Sequence, residues 1–165
     1  GNRDGSAWSR GQAWGIYGCA LSYRAGHDPR YMEMFRDVTD YFLEHLPLDL
    51  IPYWDFDFDT GSTEPRDSSA SAIAICGILE MSSYLDKEKA EKYLTAADKM
   101  LCALMDHCAN TDKTRSNGLL LHGTYARDSA YNTCINRGVD ECSTWGDYFY
   151  MEALTRRMKD WKPYW

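Results

Sequence analysis

The sequence has little positive charge for a protein of its size. It contains 18 Lys and Arg residues against 25 Asp and Glu, which gives a net charge of −7 at pH 7. Proteins that bind nucleic acid use clustered Lys and Arg to neutralise phosphates, and no such stripe is present. We therefore exclude nucleic acid as a partner, and an acidic ligand would need a local basic pocket.

Long apolar runs are also lacking. No stretch of about 18 apolar residues occurs, so the sequence predicts no membrane span and no membrane partner. No signal peptide is recognisable, although the opening GNRDGSAW leaves an upstream export signal open. The cytoplasm and the periplasm of a bacterium both remain compatible with the sequence.

Paired cysteine motifs are absent. The six cysteines show neither CxxC nor the paired spacing of a metal site, which argues against structural zinc, and no cofactor is indicated. Free thiols are favoured over a disulfide framework, with Cys134 and Cys142 as the one pair to check. Cys19, Cys76 and Cys102 fall in apolar helical stretches, where cysteine acts as a small hydrophobic residue.

What the sequence does contain is helical periodicity. The spacing of apolar residues predicts five helices, at about 9–25, 29–46, 67–85, 87–108 and 146–160. Ser9 and Asp67 are the expected N-caps of the first and third helices. No convincing set of strands is present, although LLLHGTY could form a short one. The predicted fold class is all-α.

An internal repeat relates the first two helices to the next two. A shift of 59 residues places Gly18 on Gly77 and Phe42 on Leu101, so a small-residue helix is twice followed by a broad amphipathic one. This pattern is typical of a ring of helical hairpins, in which inner helices are covered on both sides. Two and a half hairpins cannot close such a ring. We expect either a missing N-terminal half or an oligomer partner to complete it.

The stretch WSRGQAWG, residues 8–15, has the chemistry of an acidic-sugar site. Arg10 and Trp14 are separated by one helical turn and are expected on the same face. A guanidinium could pair with a carboxylate while the indole stacks on a sugar ring. On spacing alone, a structural salt bridge for Arg10 and a core position for Trp14 are equally compatible.

Several acidic residues could be taken for catalytic or calcium-binding residues, but simpler structural roles account for them. Asp55, Asp57 and Asp59 alternate with aromatic residues in YWDFDFD, and we interpret them as solvated loop carboxylates, because a calcium cage needs more converging ligands. Asp67 precedes a helix rich in Ala and Ser, so we interpret it as a helix cap in preference to a catalytic acid.

Four segments in order carry a family resemblance. WSRGQAWGIYG, PYWDFD, RDSSASAIAICGILEM and GDYFYMEAL, between Trp8 and Leu154, resemble the unsaturated glucuronyl hydrolases, glycoside hydrolase family 88. The related unsaturated rhamnogalacturonyl hydrolases typically read WxRGNGW. Gln12 and Ala13 occupy the discriminating positions and favour the glucuronyl family, with the rhamnogalacturonyl family as the alternative.

The resemblance implies that residues 1–165 are the C-terminal part of a single (α/α)6-toroid glycoside hydrolase domain. The implied reaction removes a 4,5-unsaturated uronic acid from lyase-generated glycosaminoglycan-type oligosaccharides, and it begins with hydration of the double bond. The family's key aspartates lie in helices before the WxRGQAW helix, so no catalytic residue is carried over and the chain alone is expected to be inactive. Three substrate-binding residues are implied: Arg10 as partner of the uronate carboxylate, Trp14 as stacking platform, and Tyr125 in the wall of the sugar site.

A function other than catalysis is also compatible with the sequence. The same helices could form a non-catalytic carbohydrate-binding or protein-interaction module that uses half a toroid.

Overall fold

The computed structural model describes residues 1–114 and 116–163, and five α-helices dominate them. They are α1 (Ser9–Gly26), α2 (Pro29–Glu44), α3 (Ser68–Ser82), α4 (Lys87–His107) and α5 (Thr144–Met158). All five predicted helices are confirmed, with ends shifted by a few residues. In the described part of the chain, β-structure is limited to isolated bridges, two of which involve Leu120 and Gly123 of LLLHGTY. None of these helices combines the length and the apolar character that crossing a membrane requires.

The start of α1 differs from the prediction. Ser9 is the first helical residue and Trp8 occupies the N-cap position, where it makes no side-chain capping bond. The Ser9 hydroxyl instead donates to the carbonyl of Trp54 at 3.1 Å, and the Ser9 amide donates to the same carbonyl. The segment before α3 therefore supplies the acceptor for the first residue of α1. This contact is long-range, and local capping preferences do not encode it.

The helices form an inner and an outer layer. Every residue of α3 except Leu79 is buried, because α3 packs against α1, α4 and α5. The outer helices α2 and α4 bury one face each, through Phe35 and Phe42 on α2 and through Tyr93 and Leu104 on α4. This arrangement confirms the expected alternation of small-residue inner helices with amphipathic outer ones.

Contacts at both ends show that α1 and α3 run parallel. Near their N-termini, Arg10 pairs with Asp67, and near their C-termini, Arg24 pairs with Glu80 at 3.2 Å. The N-termini of these two inner helices therefore lie at the same end of the helical bundle.

A buried ion network joins three inner helices at the opposite end. Arg156 of α5 donates to Glu80 of α3 at 2.9 Å and to Glu152 at 2.8 Å, and all three side chains are at most 7% exposed. Glu80 also accepts from Arg24 of α1, and the Tyr17 hydroxyl donates to Glu152 at 3.3 Å. The network fixes the register of α1, α3 and α5.

The two glycines related by the repeat have different surroundings. A Cβ atom on Gly77 would lie 2.7 Å from the backbone N and Cα of Tyr17, so α3 approaches α1 at a distance that only glycine permits. A Cβ atom on Gly18 would meet no described atom within 4 Å, and Gly18 is exposed. One side of α1 is therefore packed closely against Gly77 of α3, whereas the surface of α1 at Gly18 has no described atom packed against it.

The YWDFDFD loop corrects one expectation. Asp59 is exposed, as predicted, whereas the Asp57 side chain is only 18% exposed and forms an ion pair. Asp55 is fully buried. Its carboxylate accepts from the amide of Asn2 at 2.7 Å and from the hydroxyl of Ser6 at 2.9 Å. Asp55 therefore anchors the segment that leads into α1.

The six cysteines, all within the described residues, are free thiols, and Cys134 and Cys142 are not bridged. Cys19 and Cys76 are buried, as expected for small hydrophobic residues. Cys102 is exposed, so its predicted core position is wrong; it lies on the solvent side of α4, away from the stripe of residues that this helix buries.

Candidate functional site

The N-terminal ends of the inner helices meet beneath a crossing segment, residues 120–126. Ser68, the first residue of α3, donates its amide to the carbonyl of His122 at 3.0 Å and its hydroxyl to that of Leu121 at 2.6 Å. Thr124 donates its hydroxyl to the carbonyl of Arg66 at 2.8 Å. These bonds hold the crossing segment over the start of α3.

Arg10 is the link between this segment and the helices. Its Nη1 donates to a carboxylate oxygen of Asp67 at 2.5 Å and to the carbonyl of Thr124 at 2.6 Å. Its Nη2 donates to the next carbonyl, that of Tyr125, at 2.8 Å. Arg10 is only 3% exposed. Nη1 also lies 3.4 Å from the Ser69 hydroxyl oxygen. These contacts involve Nη1 and one donor of Nη2, so Nε–H and the second donor of Nη2 have no partner in the described part of the chain.

Two indole rings enclose the guanidinium of Arg10. Its central carbon lies 4.8 Å from the ring centre of Trp8 and 5.3 Å from that of Trp145 on α5. Arginine stacks on aromatic faces because its charge is delocalised and weakly hydrated. The indoles therefore fix the plane of the guanidinium as well as its position.

Asp67 occupies the N-cap position of α3 but does not act as the predicted cap. Its carboxylate makes no capping bond and instead accepts from Arg10 and from the Ser69 hydroxyl at 2.5 Å. The prediction is wrong because Arg10, 57 residues away, competes for the carboxylate. Full burial raises the pKa of Asp67, and the Arg10 charge opposes that rise.

A cavity of about 300 Å³ opens beside Arg10. Two of the three predicted binding residues, Arg10 and Tyr125, line it, together with Trp8, Trp54 and Arg127. The concave shape, aromatic walls and two guanidinium groups are the features expected of a pocket for a small acidic ligand.

The far wall of the cavity is organised by Glu64. Its carboxylate accepts from Trp54 Nε1 at 3.0 Å, from Arg127 Nε at 3.0 Å and from Arg127 Nη2 at 3.2 Å. The hydrogen bond from Arg127 lowers the pKa of Glu64. Sequence reasoning missed Trp54 and Arg127 as wall residues, although Trp54 lies inside the PYWDFD segment.

Trp14 lies apart from this cavity. It is 38% exposed, and its ring packs edge-on against Phe149 of α5 with centroids 5.3 Å apart. The Arg10 side chain extends back over the start of α1 to reach Asp67, whereas Trp14 faces α5 one turn later. The structure thus brings Arg10 and Tyr125 together and places Trp14 on the neighbouring open surface.

Among residues 1–114 and 116–163, no three His, Cys, Asp or Glu side chains converge as ion ligands. The chemistry available to the site is the binding of an acidic, ring-shaped molecule through hydrogen bonds and aromatic contact.

Solved structures of unsaturated glucuronyl hydrolases match the chain along its length. A variant from Streptococcus agalactiae, complexed with dGlcA-GalNAc6S, superimposes with a TM-score of 0.91 at 47% identity, covering 100% of this chain and 43% of that one. The protein from Bacillus sp. GL1, described as responsible for the degradation of glycosaminoglycan, gives 0.82 at 37% identity, covering 94% and 40%. The chain belongs to the unsaturated glucuronyl hydrolase family, and its helices are a portion of an (α/α)6 toroid.

Curated relatives carry more specific names. The unsaturated chondroitin disaccharide hydrolase of Streptococcus pyogenes serotype M1 is 49% identical over 167 residues, which cover 100% of this chain and 40% of the relative. The unsaturated glucuronyl hydrolase of Bacillus sp. strain GL1 is 39% identical over 169 residues, covering 100% and 43%. No family model matches the chain. The chain therefore spans about two fifths of the length of these relatives.

Proposed function

We propose that this chain is the C-terminal part of a glycoside hydrolase that releases 4,5-unsaturated uronic acid from lyase-generated glycosaminoglycan-type oligosaccharides. An unsaturated chondroitin disaccharide is the proposed substrate, since relatives at 47–49% identity are named for it. The rest of the ring and the catalytic aspartates belong to the remainder of the protein.

The observation that carries the proposal is the environment of Arg10. The described bonds leave Nε–H and one hydrogen of Nη2, the atoms Nε and Nη2 form one edge of the guanidinium, and Arg10 lines the cavity. A carboxylate can accept two parallel hydrogen bonds from such an edge. A uronate bound there would lie beside the ring of Trp8, against which its pyranose face could pack.

Tyr125 and Trp14 extend the proposed site in two directions. Tyr125 is 51% exposed, and its ring centre lies 5.6 Å from that of Trp145, so it presents an aromatic edge to the cavity. Trp14 is proposed to face the sugar from the open side of α1, where the remaining helices of the toroid would complete the wall. In this scheme the chain binds and orients the uronate, and the proton transfers occur on groups outside it.

The open surface of α1 supports the domain proposal. Gly77 lets α3 pack closely on α1, and Gly18 repeats that small surface where no described helix is packed. We propose that an inner helix of the preceding hairpin packs against Gly18, as α1 packs against Gly77.

Loss of ultraviolet absorbance from the uronate double bond tests the function. An unsaturated chondroitin disaccharide is mixed with the 165-residue chain and, separately, with the longer protein. We expect turnover by the longer protein alone. Turnover by the short chain would place the acid within it and would contradict the proposed division of roles.

A second substrate provides the control. Unsaturated pectin fragments contain the same double bond on a different oligosaccharide. Turnover of these fragments in preference to the chondroitin disaccharide would refute the proposed substrate. No turnover of either by the longer protein would refute the hydrolase assignment.

A further inference from the structure

Asp67 has a position that neither helix capping nor catalysis explains. It is fully buried where α1, α3 and the crossing segment 120–126 meet. Its two carboxylate oxygens have different partners: Oδ2 accepts from Arg10, and Oδ1 accepts from the Ser69 hydroxyl. A buried carboxylate with two separate sets of donors fixes the orientation of both.

The first set of contacts orients Arg10. Nη1 is held by Asp67 on one side and by the carbonyl of Thr124 on the other, at 2.5 and 2.6 Å. The Thr124 amide itself lies 3.5 Å from Oδ1 of Asp67. Because these contacts immobilise Nη1, they determine which edge of the guanidinium faces the cavity.

The second set of contacts orients Trp145. Its Nε1–H donates to the Ser69 hydroxyl at 3.1 Å, and that hydroxyl donates its own proton to Asp67 at 2.5 Å. The indole in turn lies against the guanidinium of Arg10 and beside the ring of Tyr125, with centroid distances of 5.3 and 5.6 Å. The Asp67 carboxylate is thus linked by hydrogen bonds to the guanidinium of Arg10 and, through Ser69, to the indole of Trp145.

We propose that Asp67 is a positioning residue for uronate binding, which sets the free edge of Arg10 directly and the indole of Trp145 through Ser69. The inference rests on the proposed function. Asp67 itself touches no substrate, because it is enclosed by Arg10, Ser69 and Thr124.

The experiment separates charge recognition from general loosening of the site. Dissociation constants are measured by calorimetry on the longer protein for the saturated glucuronyl-N-acetylgalactosamine disaccharide and for its methyl ester. The ester lacks the negative charge, so the ratio of the two constants reports the contact with the carboxylate. We expect Asp67→Asn to lower the preference for the free acid about tenfold, because Arg10 loses its charge-assisted anchor.

Two further variants make the result specific. Ser69→Ala keeps the ion pair and removes the hydroxyl that links Asp67 to Trp145, together with a 3.4 Å contact from Nη1 of Arg10. Both dissociation constants should rise, and the acid preference should fall less than in Asp67→Asn. Glu80→Gln removes a buried carboxylate from another arginine pair at the far end of α3, and it should leave the acid-to-ester ratio unchanged.

Each outcome decides the proposal. An unchanged or increased acid preference in Asp67→Asn would overturn it, and so would an equal fall in Glu80→Gln. If Asp67→Asn does not fold, Ser69→Ala decides, since unchanged binding of both ligands would refute the link to Trp145. Failure of the proposed function is distinct, because the wild-type longer protein would then not turn over the unsaturated disaccharide.

Discussion

Gly77 and Gly18 provide a matched pair for testing how the inner helices pack. They are equivalent in the 59-residue repeat, and each lies within an inner helix. Gly77→Ala places a methyl group 2.7 Å from backbone atoms of Tyr17 and 2.9 Å from a methyl of Ile16. Backbone atoms cannot rotate away, so the two helices themselves must separate.

The size of the effect follows from that separation. Ordinary van der Waals contact begins at 3.4 Å, so α1 and α3 must move apart by at least 3.4 − 2.7 = 0.7 Å at this point. A gap of that order loses about a quarter to a half of the dispersion attraction between facing atoms. Overpacking of this kind costs about 1–3 kcal/mol or more, against a gain of about 1 kcal/mol in helix propensity. We expect Gly77→Ala to lower the free energy of unfolding by about 1–2 kcal/mol.

Gly18→Ala is the control. Whether it raises or lowers the free energy of unfolding depends on what packs against α1. In the 165-residue chain the new methyl group meets no described atom within 4 Å. We therefore expect stabilisation by about 0.5–1 kcal/mol from helix propensity alone. In the longer protein, where we propose an inner helix against this surface, the same substitution should destabilise.

Urea unfolding followed by far-ultraviolet circular dichroism measures each of these stability changes. Equal effects of the two substitutions in the 165-residue chain would refute the packing argument. Stabilisation by Gly18→Ala in the longer protein would refute the proposed contact of a preceding helix.

Two further predictions concern charged groups. Arg156→Met should lower the free energy of unfolding by about 3 kcal/mol, because it leaves two buried carboxylates without their shared partner. Arg157→Met, in an exposed ion pair, should lower it by less than about 0.5 kcal/mol. Equal losses for the two variants in urea unfolding would contradict this explanation. Because the Arg127 hydrogen bond lowers the pKa of Glu64, the stability from this pair is present above the unfolded pKa and is lost as pH falls through the folded one. Arg127→Gln should return the Glu64 pKa, measured by carbon NMR titration, towards its ordinary range, and an unchanged value would contradict the assigned cause.

The helices could be predicted because their information is local. Apolar residues at helical spacing, such as Phe35 and Phe42, are the residues that α2 buries. The distinction between inner and outer helices was also visible, since α3 is rich in small residues and has no charged residue before Glu80.

The site could be predicted only in part, because its contacts are long-range. WSRGQAWG indicates Arg10, and the family resemblance indicates Tyr125, but nothing local indicates that Asp67 is the partner of Arg10. A residue such as Asp67, placed directly before a helix, has a sufficient local explanation as a cap. The same limit applies to Asp55, whose alternation with aromatic residues suggested a solvated loop and whose partners lie near the N-terminus of the chain.

The buried ion network has a consequence for how the ring unfolds. In repeat architectures each unit contacts only its neighbours, and unfolding can proceed one unit at a time. Here Glu80 accepts hydrogen bonds from Arg24 on one side and from Arg156 on the other, so three successive inner helices share one carboxylate. Detaching either neighbouring helix would remove one of its two guanidinium partners inside the protein. We therefore expect the three inner helices to unfold together, so that a single hairpin does not unfold as an independent step.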